Sequence, residues 1–128
     1  MNLRFVLLVL ATVSTAWAYS AGVEDPLSTA RTFQNSLNKF LEAKDKRAIY
    51  GTFADGFKFE ECDGTRTNFQ VYTDVLLRMR VDGHVSTARA DKRFIIFQVR
   101  YGKRTHEVMI NKIPVFGWRM QRAQEMIC

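Results

Sequence analysis

From Asp25 onward, apolar residues recur first with the period of a helix. Leu27, Ala30, Phe33, Leu37, Phe40 and Leu41 stand three or four positions apart, with one adjacent pair closing the series. That spacing predicts an amphipathic helix running to about Ala43, started by an Asp25 cap and Pro26 at its first position. Its polar face carries Arg31, Gln34, Asn38 and Glu42. Asp45 caps a second, shorter helix whose Ile49, Tyr50 and Phe53 face inward, and Asp55-Gly56 turns the chain. The period then drops to two. Phe57, Phe59 and Glu61 point one way along a strand, and Lys58, Glu60 and Cys62 the other. After an Asp63-Gly64 turn, Thr67 caps a third helix with the stripe Phe69, Tyr72, Val75, Leu76 and Met79, which stops near Asp82-Gly83.

Strands occupy the remainder. His84–Ala90 is modestly apolar, while Phe94–Tyr101 and Arg104–Asn111 flank Gly102-Lys103 as a hairpin. A last strand opens at Gly117-Trp118, beyond Pro114. Ile95, Phe97, Val99 and Tyr101 form an inner face, and Phe94, Ile96, Gln98 and Arg100 an outer one. Simple alternation places Thr105, Glu107 and Met109 inward and His106 outward, unless a bulge shifts the register. The order is helix, helix, strand, helix and four antiparallel strands, an α+β chain.

The N-terminus has a different character. Met1–Ala18 combines Arg4, the apolar run Phe5–Val13 and Ala16-Trp17-Ala18. This is the pattern of a cleaved signal peptide, with an apolar run too short to span a bilayer. Tyr19–Cys128 is then one secreted domain with no transmembrane segment in the mature chain. The composition, 47% hydrophobic and 25% charged, suits a compact domain. The formal charge is +6, of which Arg4 contributes one. The basic residues are scattered rather than clustered, which speaks against nucleic acid and leaves anionic surfaces as natural partners. Two cysteines, Cys62 and Cys128, occur. In an oxidising compartment they form one internal bridge or, alternatively, an intermolecular one through Cys128. The internal bridge closes a long loop and contributes roughly 4 kcal/mol.

Chemistry is sparse. His106-Glu107 lacks the second histidine of a zinc protease, and two distant cysteines build no metal site. No Gly-x-Ser-x-Gly elbow, phosphate loop or dinucleotide fingerprint occurs, so neither metal nor cofactor is expected. His84 and His106 read as surface or structural residues.

Two passages carry a resemblance. Leu41-Glu42-Ala43-Lys44-Asp45, followed by Ile49 and Phe53-Ala54-Asp55-Gly56-Phe57, is similar to the short helix and floor strand of the nuclear transport factor 2-like superfamily. Gly117-Trp118-Arg119-Met120 is similar to the opening of its last strand. The resemblance covers nearly all of Asp25–Cys128. It implies a cone in which three helices pack on a curved antiparallel sheet around a pocket. The signal peptide and paired cysteines resemble secreted, uncharacterised nematode members. Phe33, Leu37, Phe59, Tyr72, Phe97, Met109 and Trp118 become the pocket candidates, or simply the core. The superfamily's steroid isomerases, dehydratases and polyketide cyclases imply a catalytic base at Glu61, in Phe59-Glu60-Glu61-Cys62-Asp63-Gly64. A carboxylate against an apolar wall holds a proton more readily than one in water, which suits a base. Leu37 stands where the isomerases place the tyrosine that stabilises their enolate, which argues against that activity. If Glu61 is structural, Arg122 is its expected partner. The leading expectation is a non-enzymatic domain that binds a small apolar ligand or a partner protein. Phe94, Ile96, Gln98 and Arg100 would supply a homodimer face on the outer side of the sheet. Gln98-Val99-Arg100-Tyr101-Gly102 also resembles the inhibitory hairpin of cystatins, a more distant alternative.

Overall fold

The structure is a computed structural model that describes residues 25–128. Met1–Ala18, the expected signal peptide, lies outside these residues. Helix α1 spans Pro26–Glu42, and the Asp25 carboxylate accepts from the Ser28 N–H at 3.2 Å. The same device starts α2, Lys46–Tyr50, where Asp45 accepts from Ala48 N at 3.2 Å. Helix α3 spans Phe69–Met79, but its cap is Asn68 rather than Thr67, accepting from Val71 N at 3.0 Å. Thr67 belongs instead to a two-residue strand.

The strands are β1 (Phe53–Glu60), β2 (Arg66–Thr67), β3 (His84–Asp91), β4 (Phe94–Tyr101), β5 (Arg104–Ile113) and β6 (Gly117–Glu125). Asp55-Gly56 does not end a turn before β1, as expected from its composition. It lies inside β1, in a register shift between Phe53 and Lys58, and Gly56 has a φ of 79°. An Asp-Gly pair serves a bulge as well as a hairpin, because both need a left-handed residue.

All six strands form one sheet in the order β2-β1-β6-β5-β4-β3. The sheet is mixed, not wholly antiparallel: β1 runs parallel to β6, with Phe59 opposite Ala123. No hairpin joins these two strands, so no tight turn fixes their relative direction, and α3 together with β3–β5 forms the crossover. Helix α1 packs across β3 and β4, and α3 against β1.

The β4–β5 hairpin corrects the expected parity of β5. Its two-residue turn sets Tyr101 opposite Arg104 and therefore Val99 opposite His106. Residues directly opposite one another share a face. His106, Val108 and Ile110 therefore face the core with Val99, Phe97 and Ile95, while Thr105, Glu107 and Met109 face out. The irregularity in β5 lies at Met109/Ile110 on its β6 side and leaves this pairing intact.

Beyond the strands, Cys62 and Cys128 form a disulfide with Cα atoms 5.5 Å apart. Glu60 already pairs with Gln124, so the bridge extends a contact that the sheet makes.

Candidate functional site

The most polar part of the interior grows from two placements already described. The apolar stripe of α3 carries Tyr72 inward, and the β5 register turns His106 toward it. Both are fully buried, and Tyr72 Oη lies 2.8 Å from His106 Nδ1. Across the strand, His106 is paired with Glu125, whose Oε2 lies 2.9 Å from Nε2. The Nε2–H points off the line to that oxygen, so the contact falls short of a straight hydrogen bond. Arg104 closes the chain by donating from Nε and Nη2 to the two Glu125 oxygens, both at 3.0 Å. The order is phenol, imidazole, carboxylate, guanidinium.

Burial sets the charges along this chain. It drives the His106 pKa down to about 4, against a smaller upward pull from Glu125, so the ring is neutral at neutral pH. Burial also opposes the Glu125 charge, but Arg104 and His106 outweigh it and hold the carboxyl below its usual range. Burial, the neighbouring Tyr101 and the negative Glu125 push the Tyr72 phenol far up. A neutral ring carries one N–H. Facing a carboxylate, it sits best on Nε2, which leaves Nδ1 to accept from the Tyr72 O–H. Aromatic rings enclose the imidazole, with centroids of Phe59 and Tyr101 at 5.2 and 5.4 Å.

A second buried cluster lies at the other end of β4's inner face from Ile95. Gln34, 1% exposed, donates from Nε2 to Tyr101 Oη at 3.0 Å and to Asn38 Oδ1 at 2.9 Å. Asn38 in turn donates to Gly83 O and accepts from Gly83 N, each at 3.0 Å. Residue type alone had assigned Gln34 to the polar face of α1. Burial is open to it because both its donors find oxygens.

The sequence-derived candidates separate. Leu37, Phe59, Tyr72 and Phe97 are buried together in one core cluster, with Phe33 and Trp118 half-buried at its margin. Phe59 and Tyr72 stack with centroids 4.5 Å apart, and Phe33 meets Phe97 edge-on at 6.3 Å. Met109 is not with them: it faces out beside Ile96. Glu61 is half-buried just past β1, and its charge acts on Arg104. Arg122 does not meet it. It points to the outer face and reaches Glu60 at 3.4 Å and Gln124 at 3.3 Å, because Lys58 and Glu60 are its neighbours in the β1–β6 register. His84 is exposed at the start of β3. In the hairpin compared with cystatins, Val99 and Tyr101 point into the core, leaving Gln98 and Arg100 outside. Among the described residues no group of three or more His, Cys, Asp or Glu side chains could hold a metal ion, and no helix is long and apolar enough to cross a membrane. Sequence reasoning missed Gln34, His106 and Glu125 as interior polar groups. The hairpin turn was the signal for His106.

The three helices of the described residues, packed on a curved mixed sheet, form an NTF2-like fold. Residues 27–128 match the NTF2-like domain family, and the chain belongs to it. Solved structures agree at the level of fold. An NTF2-like protein from Cytophaga hutchinsonii, 8% identical, superposes with a TM-score of 0.59 over 82% of this chain and 100% of that one. An NTF2-like protein of unknown function in nutrient uptake from Rhodospirillum rubrum, 12% identical, gives 0.56 over 77% and 97%. A de novo designed protein with a curved β-sheet, also 12% identical, gives 0.61 over 78% and 98%. No protein of curated function matches the sequence.

Proposed function

We propose that this chain is a secreted, non-catalytic binding domain that works as a homodimer through the outer face of its sheet. The observation that carries this reading is the filling of the cone by its own side chains. Leu37, Phe59, Tyr72 and Phe97 are each at most 1% exposed, and a small apolar ligand would have to part them. The outer face offers more. Met109 is half-buried there beside Ile96, which is itself only 6% exposed, with Gln98 and Glu107 as the next cross-strand pair. Arg100 and Arg122 are exposed near this apolar centre. A two-fold axis through it allows Glu107 of one copy to meet an arginine of the other. Secretion is supported by the disulfide and by the charge and cleavage pattern of Met1–Ala18.

Native mass spectrometry of the secreted protein tests the reading. A dimeric mass without retained ligand is expected, and Met109→Glu should yield monomer. A monomer at tens of micromolar, well above ordinary dissociation constants, would overturn it.

The alternative is a pocket enzyme that uses Glu61. What favours it is the resemblance at Phe59–Gly64, which puts a half-buried carboxylate just past β1. Incubation with a β,γ-unsaturated ketosteroid, followed by enone absorbance, tests it. Turnover that Glu61→Gln abolishes would establish the enzyme, and absence of turnover would remove the isomerase activity.

A further inference from the structure

The turn between β5 and β6 holds apolar side chains in water by an unusual backbone. Phe116 N donates to Ile113 O at 3.2 Å, closing a four-residue turn with Pro114 and Val115 at its centre. Proline followed by a residue of positive φ is the type II arrangement, whose second central position belongs to glycine or asparagine. Val115 occupies it with a φ of 74°. A β-branched side chain resists that conformation, and strain of this kind persists at sites where it serves a purpose. Val115 is 100% exposed and Phe116 67%, so neither side chain is repaid by burial in the core.

Cations stand just behind this apex. Asp91 pairs with Phe94, Phe94 with Asn111, and Asn111 with Arg119, so the β3–β4 turn lies at the same end of the sheet. That turn contributes Lys92 and Arg93, both exposed. Arg119 lies over the Phe116 ring at 5.1 Å, and Arg93 over Phe94 at 5.3 Å. Asp91 is the one acidic residue of the two turns.

We propose that this end of the sheet docks on an anionic lipid bilayer. Val115 and Phe116 enter the boundary between headgroups and acyl chains, while Lys92, Arg93 and Arg119 meet the anionic headgroups. The order, apolar apex first and guanidinium groups behind, matches the layering of a membrane interface. A protruding tip also needs no concave receptor, and its positive charge complements the surface. The site is separate from the outer face around Ile96 and Met109.

Co-sedimentation with vesicles tests this. The protein is taken from eukaryotic cells expressing the full chain, with its N-terminus determined, so that parent and variants share the same form. Binding is expected to phosphatidylcholine vesicles doped with phosphatidylserine, to fall with salt, and to be absent with phosphatidylcholine alone. Phe116→Ser should weaken it roughly tenfold or more, and each of Lys92→Gln and Arg93→Gln roughly fivefold. Val115→Gly should weaken binding while raising the melting temperature, since glycine adopts the positive φ without strain. A purely structural turn would gain stability with binding unchanged. No sedimentation with anionic vesicles would overturn the proposal. So would equal binding to neutral ones, Phe116→Ser behaving as the parent, or full competition by soluble phosphoserine.

Discussion

Asn38 holds Gly83 by both ends of its backbone, accepting from the N–H and donating to the carbonyl, each at 3.0 Å. This clamp ties the middle of α1 to the entry of β3. It also explains the glycine: a Cβ there would lie 2.5 Å from Gln34 Nε2 and 2.7 Å from both Val99 Cγ2 and Tyr101 Cε1. Gly83→Ala should therefore cost roughly 2 kcal/mol through overpacking. Urea unfolding measures it, and an unchanged midpoint would show that Gln34, Val99 and Tyr101 all give way freely.

Acid should unfold this domain through His106. Its pKa is about 4 in the fold against an ordinary 6.5, so the unfolded chain takes up a proton that the folded one refuses. Stability is full above the higher value and is lost as pH falls through the window between the two, by roughly 3 kcal/mol at most. Glu125, also depressed, adds to the loss as pH falls through its own folded value. Chemical denaturation across this range checks the slope. An imidazole resonance of His106 that titrates near 6.5 in the folded protein would contradict it.

Tyr72→Phe removes the hydroxyl that faces His106 Nδ1 and leaves a buried ring nitrogen without its partner. The expected cost is about 1–3 kcal/mol. NMR of the labelled imidazole should show the proton staying on Nε2, opposite the Glu125 carboxylate, while the Nδ1 shift moves as its donor is lost.

Cys128→Ser should destabilise the domain by roughly 4 kcal/mol on the chain-entropy account for a separation of 66 residues. Non-reducing peptide mapping of the parent should recover the Cys62 and Cys128 peptides joined. Two free thiols in secreted protein would contradict the bridge.

What could be read from the chain beforehand was mostly local. Asp25 and Asp45 announce α1 and α2 because caps act over three residues, and the alternation of β4 sorts its two faces without reference to any neighbour. The Asp55-Gly56 bulge misleads because its dipeptide also makes turns. The inward position of His106 was within reach: counting back from the Gly102-Lys103 turn sets it opposite Val99. Its contact with Glu125 was not, since that depends on how β6 aligns with β5 across an irregularity. The parallel pairing of β1 with β6 was equally hidden, because it joins segments that share no turn. Gln34 shows the remaining limit. A polar side chain on a polar stripe is buried only because Tyr101, far along the chain, supplies an oxygen for it.

The position of β6 has a consequence for biosynthesis. It follows every other strand in the chain, yet it lies between β1 and β5, and it alone joins the β2–β1 pair to the β3–β4–β5 meander. A nascent chain that has released β1 through β5 therefore holds two sheet fragments with unpaired edges facing one another. Those edges stay open to other chains until the last strand emerges. Closure of this fold waits on the emergence of β6, and the interval before it is when chaperones have most to protect.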